Sequence, residues 1–250
     1  MKILCLADLH ISRPDGYFFG EHTISNLIEK QEPDAVAIAG DIFDYPVSDP
    51  YEELVKRIPT DNPIICCLGN HEFAYKKVAD VIDKYATLYH PERYNVHYLD
   101  ICCHREVGDV NFVGNVLWYD GSLYPAGDMP DEVSDHWLDS SIIDFNWKAE
   151  NAACVEQIKK GLLLGKTNIL VTHCVPHGRL NMHPDTSKMN GYSGMSNLFS
   201  KLGGHPKISW AVCGHTHRRI RGEFGGVFCV NVGNDYSFSG KEFQYYMMEV

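Results

Sequence analysis

Five short segments of the chain share one pattern, a run of apolar or β-branched residues closed at once by Gly, Asp, Asn or His. They are KILCLADLH (2–10), AVAIAGD (35–41), PIICCLGNH (63–71), NILVTH (168–173) and SWAVCGHTH (209–217). Continuous apolar runs of this length suit strands buried on both faces, as in a sheet held between other layers. Helical stretches lie between them, at 21–31, 74–88, 146–164 and 193–203. The alternation predicts an α/β fold. Two further strand candidates, 110–118 and 225–233, together with the terminal FQYYMMEV, predict a second, partly antiparallel sheet.

No Pro/Gly/Ser-rich linker divides residues 1–250, so a single domain is expected. Residues 119–145 are acidic and aromatic without a clear period, which reads as a surface insertion or a lid. The nine cysteines include no CxxC pair. Cys66–Cys67 and Cys102–Cys103 sit inside apolar runs and read as small buried hydrophobes, so a reducing cytoplasm is the expected setting. MKILCLADLH lacks the features of a signal peptide, and no run of ~18 apolar residues is present, so no membrane span is expected. The net charge of −11 argues against a large non-specific nucleic-acid footprint. It does not argue against an anionic substrate, because bound cations reverse the local field.

What closes the five runs changes the picture. Asp8 and His10 close the first, Asp41 the second, Asn70 and His71 the third, His173 the fourth, and His215 and His217 the fifth. Any one of these alone is an ordinary turn or capping residue. Ligand sites of open α/β sheets gather outside the carboxyl ends of the strands, however, so the whole set is expected to converge. Buried carboxylates and imidazoles are costly unless paired or bound to metal.

The ordered blocks Asp8-x-His10, Gly40-Asp41, Gly69-Asn70-His71-Glu72, Thr172-His173 and Gly214-His215-x-His217 resemble the calcineurin-like metallophosphoesterase family. Glu72 is a departure, since Asp is commoner there; it keeps the charge and is not a metal ligand in the family. The resemblance implies a four-layer αββα sandwich with two mixed sheets and a two-metal site at the strand ends. Carried over by position, Asp8, His10, Asp41 and His217 would hold one ion. Asp41, Asn70, His173 and His215 would hold the other, with Asp41 bridging. His71 would be the catalytic acid or a stabiliser of transition-state charge, not a ligand.

Two divalent ions ~3.5–4 Å apart can clamp the attacking and leaving oxygens of an in-line phosphoryl displacement and supply a nucleophilic water. Imidazole, carboxylate and one neutral amide suit Mn, Fe or Zn better than an all-oxygen Mg site. A small phosphate ester is the expected substrate. Nucleic acid is disfavoured by the acidic charge, although GDIFD (40–44) is similar to the DNA-repair nuclease branch, and a non-catalytic scaffold of the same fold is a further alternative. The loop 176–194 after His173 offers Arg179, His183 and Tyr192 as substrate contacts, and 12–20 lies on the same rim. GLLLGKT (161–167) is one residue short of a phosphate-binding loop and precedes a strand, so it reads as a helix end at Gly165. The basic cluster at Arg218, Arg219 and Arg221 reads as a solvated strand face.

Overall fold

The structure, a computed structural model, describes residues 1–11, 21–125, 127–181, 186–234 and 243–250. The rim segment 12–20 and His183 lie outside the described residues.

The apolar runs form the strands they predict. In order, the strands are β1 (Lys2–Leu6), β2 (Ala35–Ala39), β3 (Ile64–Cys67), β4 (Val96–Tyr98), β5 (His104–Val107), β6 (Val110–Asn115), β7 (Thr167–Thr172), β8 (Ile208–Cys213), β9 (Arg219–Phe224), β10 (Val227–Val232) and β11 (Tyr246–Glu249). The first sheet runs β11-β1-β2-β3-β4 and the second β5-β6-β7-β8-β10-β9. Both are mixed. β1 to β4 are parallel with β11 antiparallel at one edge, and β6, β7, β8 and β10 are parallel between antiparallel β5 and β9. The terminal FQYYMMEV therefore belongs to the first sheet and not to the second: Ile3 pairs with Met248 and Cys5 with Tyr246.

The helices are α1 (Glu21–Gln31), α2 (Pro50–Arg57), α3 (Val78–Leu88), α4 (Pro91–Tyr94), α5 (Leu99–Cys102), α6 (Trp147–Gly161) and α7 (Leu198–Lys201). Asp49 caps α2, accepting from the amides of Tyr51 and Glu52, and Pro50 occupies the first turn, where its missing N–H costs nothing. The stretch 193–203 is helical only over α7. The segment resembling a phosphate loop is the end of α6, followed by Gly165 at φ 78° and then β7.

Side-chain alternation along the strands divides the core into layers. Ile3, Cys5 and Ala7 of the β1 segment, with Ala35, Ala37 and Ala39 of β2, face Phe112, Ile169, Val171 and Val212 of the second sheet. The three alanines let β2 lie close against β7. On the outer face of the first sheet, Leu4, Leu6, Val36 and Ile38 pack with Ile24, Tyr51, Leu54 and Val81 of the first three helices. On the outer face of the second, Val113, Leu170 and Ala211 pack with Val155 and Ile158 of α6 and Leu198 of α7. The result is the expected αββα order. All nine cysteines are free thiols, and no helix among the described residues is long and apolar enough to cross a membrane.

Residues 119–145 contribute to this packing. Met129 and Ile142 are buried in the same cluster as Trp118, Tyr119 and Trp147.

Candidate metal centre

The carboxyl ends of β1, β2, β3, β7 and β8 meet at one edge of the sandwich. The backbone there leaves the strand conformation abruptly. Asp8, His10, Asp41, His215 and His217 all have positive φ, between 46° and 66°. For a residue with a Cβ that conformation costs roughly 1–2 kcal/mol. Hydrogen bonds between the loops hold it: Asp8 N–H donates to Gly40 O at 3.1 Å, His10 N–H to Asp41 O at 3.0 Å, and Gly214 N–H to His173 O at 3.1 Å. Gly69 must be glycine, because a Cβ would run into the Asp41 carboxylate and amide.

Three atoms gather around His173 Nε2. Asn70 Oδ1 lies 3.0 Å from His173 Nε2, His215 Nδ1 lies 3.1 Å from it, and Asp41 Oδ2 lies 3.3 Å from it. The partners of the opposite atoms assign the lone pairs. His173 Nδ1 donates to Ala39 O at 3.0 Å, His215 Nε2 donates to Tyr192 O at 2.9 Å, and Asn70 Nδ2 donates to Asp139 Oδ1 at 2.8 Å. Each group thus turns an acceptor inward, and neutral imidazoles would leave no donor among the four. A cation is the species that such a cluster satisfies. Without one, a proton takes its place: burial pulls His173 down, but the charge and hydrogen bond of Asp41, together with Asp8 and the Ala39 carbonyl, raise it to about 10. Burial and the neighbouring His173 hold His215 at about 3, so its inward nitrogen keeps its lone pair. Burial pushes the Asp41 carboxyl up, but His173, then His71 and His10, draw it well below the usual carboxylate range.

A second cluster adjoins the first across Asp41. Ligand atoms of Asp8, His10 and His217 lie within 4.8 Å of one another. The rings of His10 and His217 are nearly parallel, with centroids 5.6 Å apart. His10 Nδ1 meets Asp44 Oδ1 at 2.8 Å and His217 Nδ1 meets Asn234 O. Asp8 Oδ1 accepts from His215 N–H at 3.0 Å, while buried Asp8 Oδ2 has no hydrogen-bond partner among the described residues. An unsatisfied buried acceptor costs about 1–3 kcal/mol and more when charged, so this oxygen too fits a metal ligand. Asp41 Oδ2 lies 3.9 Å from His10 Nε2, between the two clusters. The donor set fits a pair of divalent ions.

His71 sits on the 3-10 turn Asn70–Phe73. Its amide donates to Asp41 Oδ1 at 3.1 Å, its Nδ1 lies 3.2 Å from Asp44 O, and its Nε2 is 3.7 Å from Asp41 Oδ2. Burial lowers its pKa below the ordinary histidine value, with the Asp41 charge opposing. Glu72 accepts from the amides of Gly69 (2.6 Å) and Phe43 (2.8 Å), binding the loops after β2 and β3 together. Burial raises its carboxyl to about 8.

The centre forms the floor of a cavity of about 380 Å³. Asp41, Asn70, His71, His215 and His217 line it, with Trp137, Leu138, Met189, Ser193, Thr216 and Arg218 above them. Of the expected substrate contacts, Arg179 is exposed and does not line the cavity, because it sits on a separate 3-10 turn, Gly178–Leu180. Tyr192 also does not line it. Its ring is buried against Tyr119 and Trp137, and it serves the site through the carbonyl that holds His215. Arg218 lines the cavity just before β9 begins, so only Arg219 and Arg221 belong to the solvated strand face. Trp137, Leu138, Asp139, Met189 and Ser193 come from segments without periodicity and carry no local sequence signal. The one signal available was that 119–145 and 176–194 are long and flank the ligand blocks.

The sequence model of the calcineurin-like phosphoesterase family matches residues 1–219. No curated protein matches the chain. Among solved structures, a phosphopantetheinyl hydrolase from Mycobacterium tuberculosis is similar with a TM-score of 0.72 at 16% identity, over 99% of this chain and 95% of that one. A dimetal phosphatase from Danio rerio has a TM-score of 0.56 at 12% identity, over 99% and 91%. GAP50, the anchor in the inner membrane complex of Plasmodium, has a TM-score of 0.53 at 12% identity, over 99% and 77%. At these identities the three show a shared fold.

Proposed function

Because the chain belongs to the calcineurin-like phosphoesterase family, whose members are metal-dependent phosphoester hydrolases, we propose that it cleaves a small phosphodiester or phosphomonoester with two divalent ions held at the strand ends. The observation that carries this reading is the inward convergence of acceptors from Asp41, Asn70, His173 and His215 beside the unpartnered Asp8 Oδ2. Asp8, His10, Asp41 and His217 would hold one ion. Asp41, Asn70, His173 and His215 would hold the other, with the charge of Asp41 and the place of its Oδ2 between the clusters suiting it to both. When bound, the pair would supply Lewis acidity and a water acidic enough to attack at neutral pH. Imidazole-rich ligation favours Mn, Fe or Zn.

The chain's own groups supply the rest. His71 stands at the cavity floor with Nδ1 toward the Asp44 carbonyl and Nε2 on the Asp41 side, in place to protonate a leaving alkoxide when it is the imidazolium, or to stabilise charge in the transition state. Such acid catalysis is worth ~10²–10⁴-fold. Arg218 and Thr216 offer donors to a phosphoryl oxygen, and Trp137, Leu138 and Met189 offer an apolar wall to the esterified group. A cavity this size suits a small ester better than a duplex, in line with the acidic charge. The nine free thiols support a reducing, cytoplasmic setting.

The test is hydrolysis of p-nitrophenyl phosphate and its bis-ester after reconstitution with Mn, Ni, Zn, Fe or Mg, with Asp41→Asn as control. Diester turnover lost in the variant supports a phosphodiesterase, and monoester turnover alone makes it a phosphatase. Two tightly held metals with neither activity would narrow the substrate. No bound metal and no activity would return the scaffold reading.

A further inference from the structure

An asparagine amide is nearly symmetrical in shape, and turning it over exchanges an acceptor for a donor. At Asn70 that choice decides whether an oxygen or an NH₂ group faces His173 Nε2. On the ligand side His173 Nε2 is itself a ligand atom, so a hold on the amide that outlasts metal exchange has to come from the other side. What fixes it is Asp139, an acceptor at both oxygens, 1% exposed, on the 3-10 turn Leu138–Ser141. Its Oδ1 takes Asn70 Nδ2 at 2.8 Å and its Oδ2 takes Trp137 Nε1 at 3.0 Å.

The same group of residues orients a second ligand. The Trp137 indole stacks on Tyr192, with centroids 5.4 Å apart, and meets the His215 ring edge-on at 5.9 Å. The Tyr192 carbonyl holds His215 Nε2, which turns Nδ1 toward the point where Asn70 Oδ1 and His173 Nε2 meet. Asn70 and His215 are thus both oriented from outside the strand-end loops, by the segments 137–139 and 188–192.

We propose that Asp139 is a positioning residue for the metal position served by Asn70, and that the segment 137–139 is thereby a working part of the metal centre. The inference rests on the two-metal reading above. Partners of this kind, which hold a ligand without touching the metal, typically change affinity by 10–100-fold.

The experiment is calorimetric titration of the metal-free full chain with Mn²⁺ alone, with thermal melts of the same samples. Asp139→Asn keeps the shape but leaves one accepting oxygen where the carboxylate has two. The expected result is one Mn²⁺ equivalent weakened ~10–100-fold and the other unchanged. The double exchange Asn70→Asp with Asp139→Asn reverses the hydrogen bond: Asn at 139 donates to Asp at 70 and still accepts from Trp137. It preserves total charge, and the expected result is recovery of most of the lost affinity. Asn70→Asp alone opposes two carboxylates and is expected to bind worse than the exchange. Trp137→Phe, which leaves the Asn70 contact in place, is expected to lose less than Asp139→Asn.

Wild-type affinity at both positions in Asp139→Asn would overturn the proposal, as would an exchange no tighter than the single variants. If Asp139→Asn does not fold, the order of Trp137→Phe and the exchange decides the matter by the same criteria. A wild-type chain that binds no Mn²⁺ would instead overturn the two-metal reading itself.

Discussion

Along β2, Ala35 to Ala39 are all buried, apolar and in regular strand conformation. Two residues later Asp41 is equally buried, charged, and at φ 48°. Burial at positive φ recurs at Asp8 after β1 and at His215 after β8. In the strands, local preference, burial and hydrogen bonding all favour the same structure. At their carboxyl ends, backbone conformation and desolvation both oppose it, and what remains favourable is the chance to bind cations. The lesson is that this edge is maintained by the sandwich behind it, so interior and edge substitutions should separate stability from activity.

The largest separation is expected at His71. His71→Ala should lower kcat by ~10²–10⁴-fold with both metals retained. Steady-state kinetics alongside metal analysis checks this, and wild-type kcat would remove His71 from the catalytic role. The reverse behaviour is expected in the interior. Phe112 is fully buried between the sheets, and Phe112→Ala should lower unfolding free energy by about 3–5 kcal/mol. Specific activity per folded molecule should hold, as denaturant curves and active-site titration would show; a large loss of kcat at full occupancy would mean that the edge senses the core directly.

A smaller effect concerns His97, buried in β4 with Tyr89 Oη 2.9 Å from Nδ1. Burial, then Arg105, hold it at about 4. Because this lies below the ordinary value of about 6.5, folding favours the neutral ring. Its contribution is present above pH ~6.5 and lost as pH falls toward 4, by about 2–3 kcal/mol. Denaturant midpoints at pH 7 and 4.5 should therefore differ more for the wild type than for His97→Gln. Equal pH dependence would exclude this cause.

The smallest effect sharpens the edge itself. His173, raised to about 10, must lose its proton to bind metal. Metal affinity should therefore rise about tenfold per pH unit between 7 and 9, with about one proton released. In the metal-free protein the same group contributes stability below about pH 6.5 that is lost as pH rises through 10. Titrations in buffers of different ionisation enthalpy measure the released proton, and none released would contradict this protonation state.

How much was legible follows the same division. β1, β2, β3, β7 and β8 are continuous apolar runs, and their polar endings could be found because they follow such runs directly. β4 is three residues long and β5 is a mostly polar edge strand, HREV, so neither offers a usable period. The first-sheet place of β11 depends on which edge is open, which no local pattern encodes. Asp139 and Trp137 were invisible for a different reason. Their role is defined by the side chains they touch across 69 and 78 positions of sequence, Asn70 and His215, and not by any local spacing. Arg179 was drawn toward the site by sequence adjacency to His173, but the 3-10 turn Gly178–Leu180 leaves it exposed.

The most direct test of the account is anomalous diffraction from crystals grown with Mn²⁺. Two peaks are expected on either side of Asp41, ~3.5–4 Å apart, one beside Asp8, His10 and His217 and the other beside Asn70, His173 and His215. No peak at Asp41, with Mn²⁺ in excess, would contradict it.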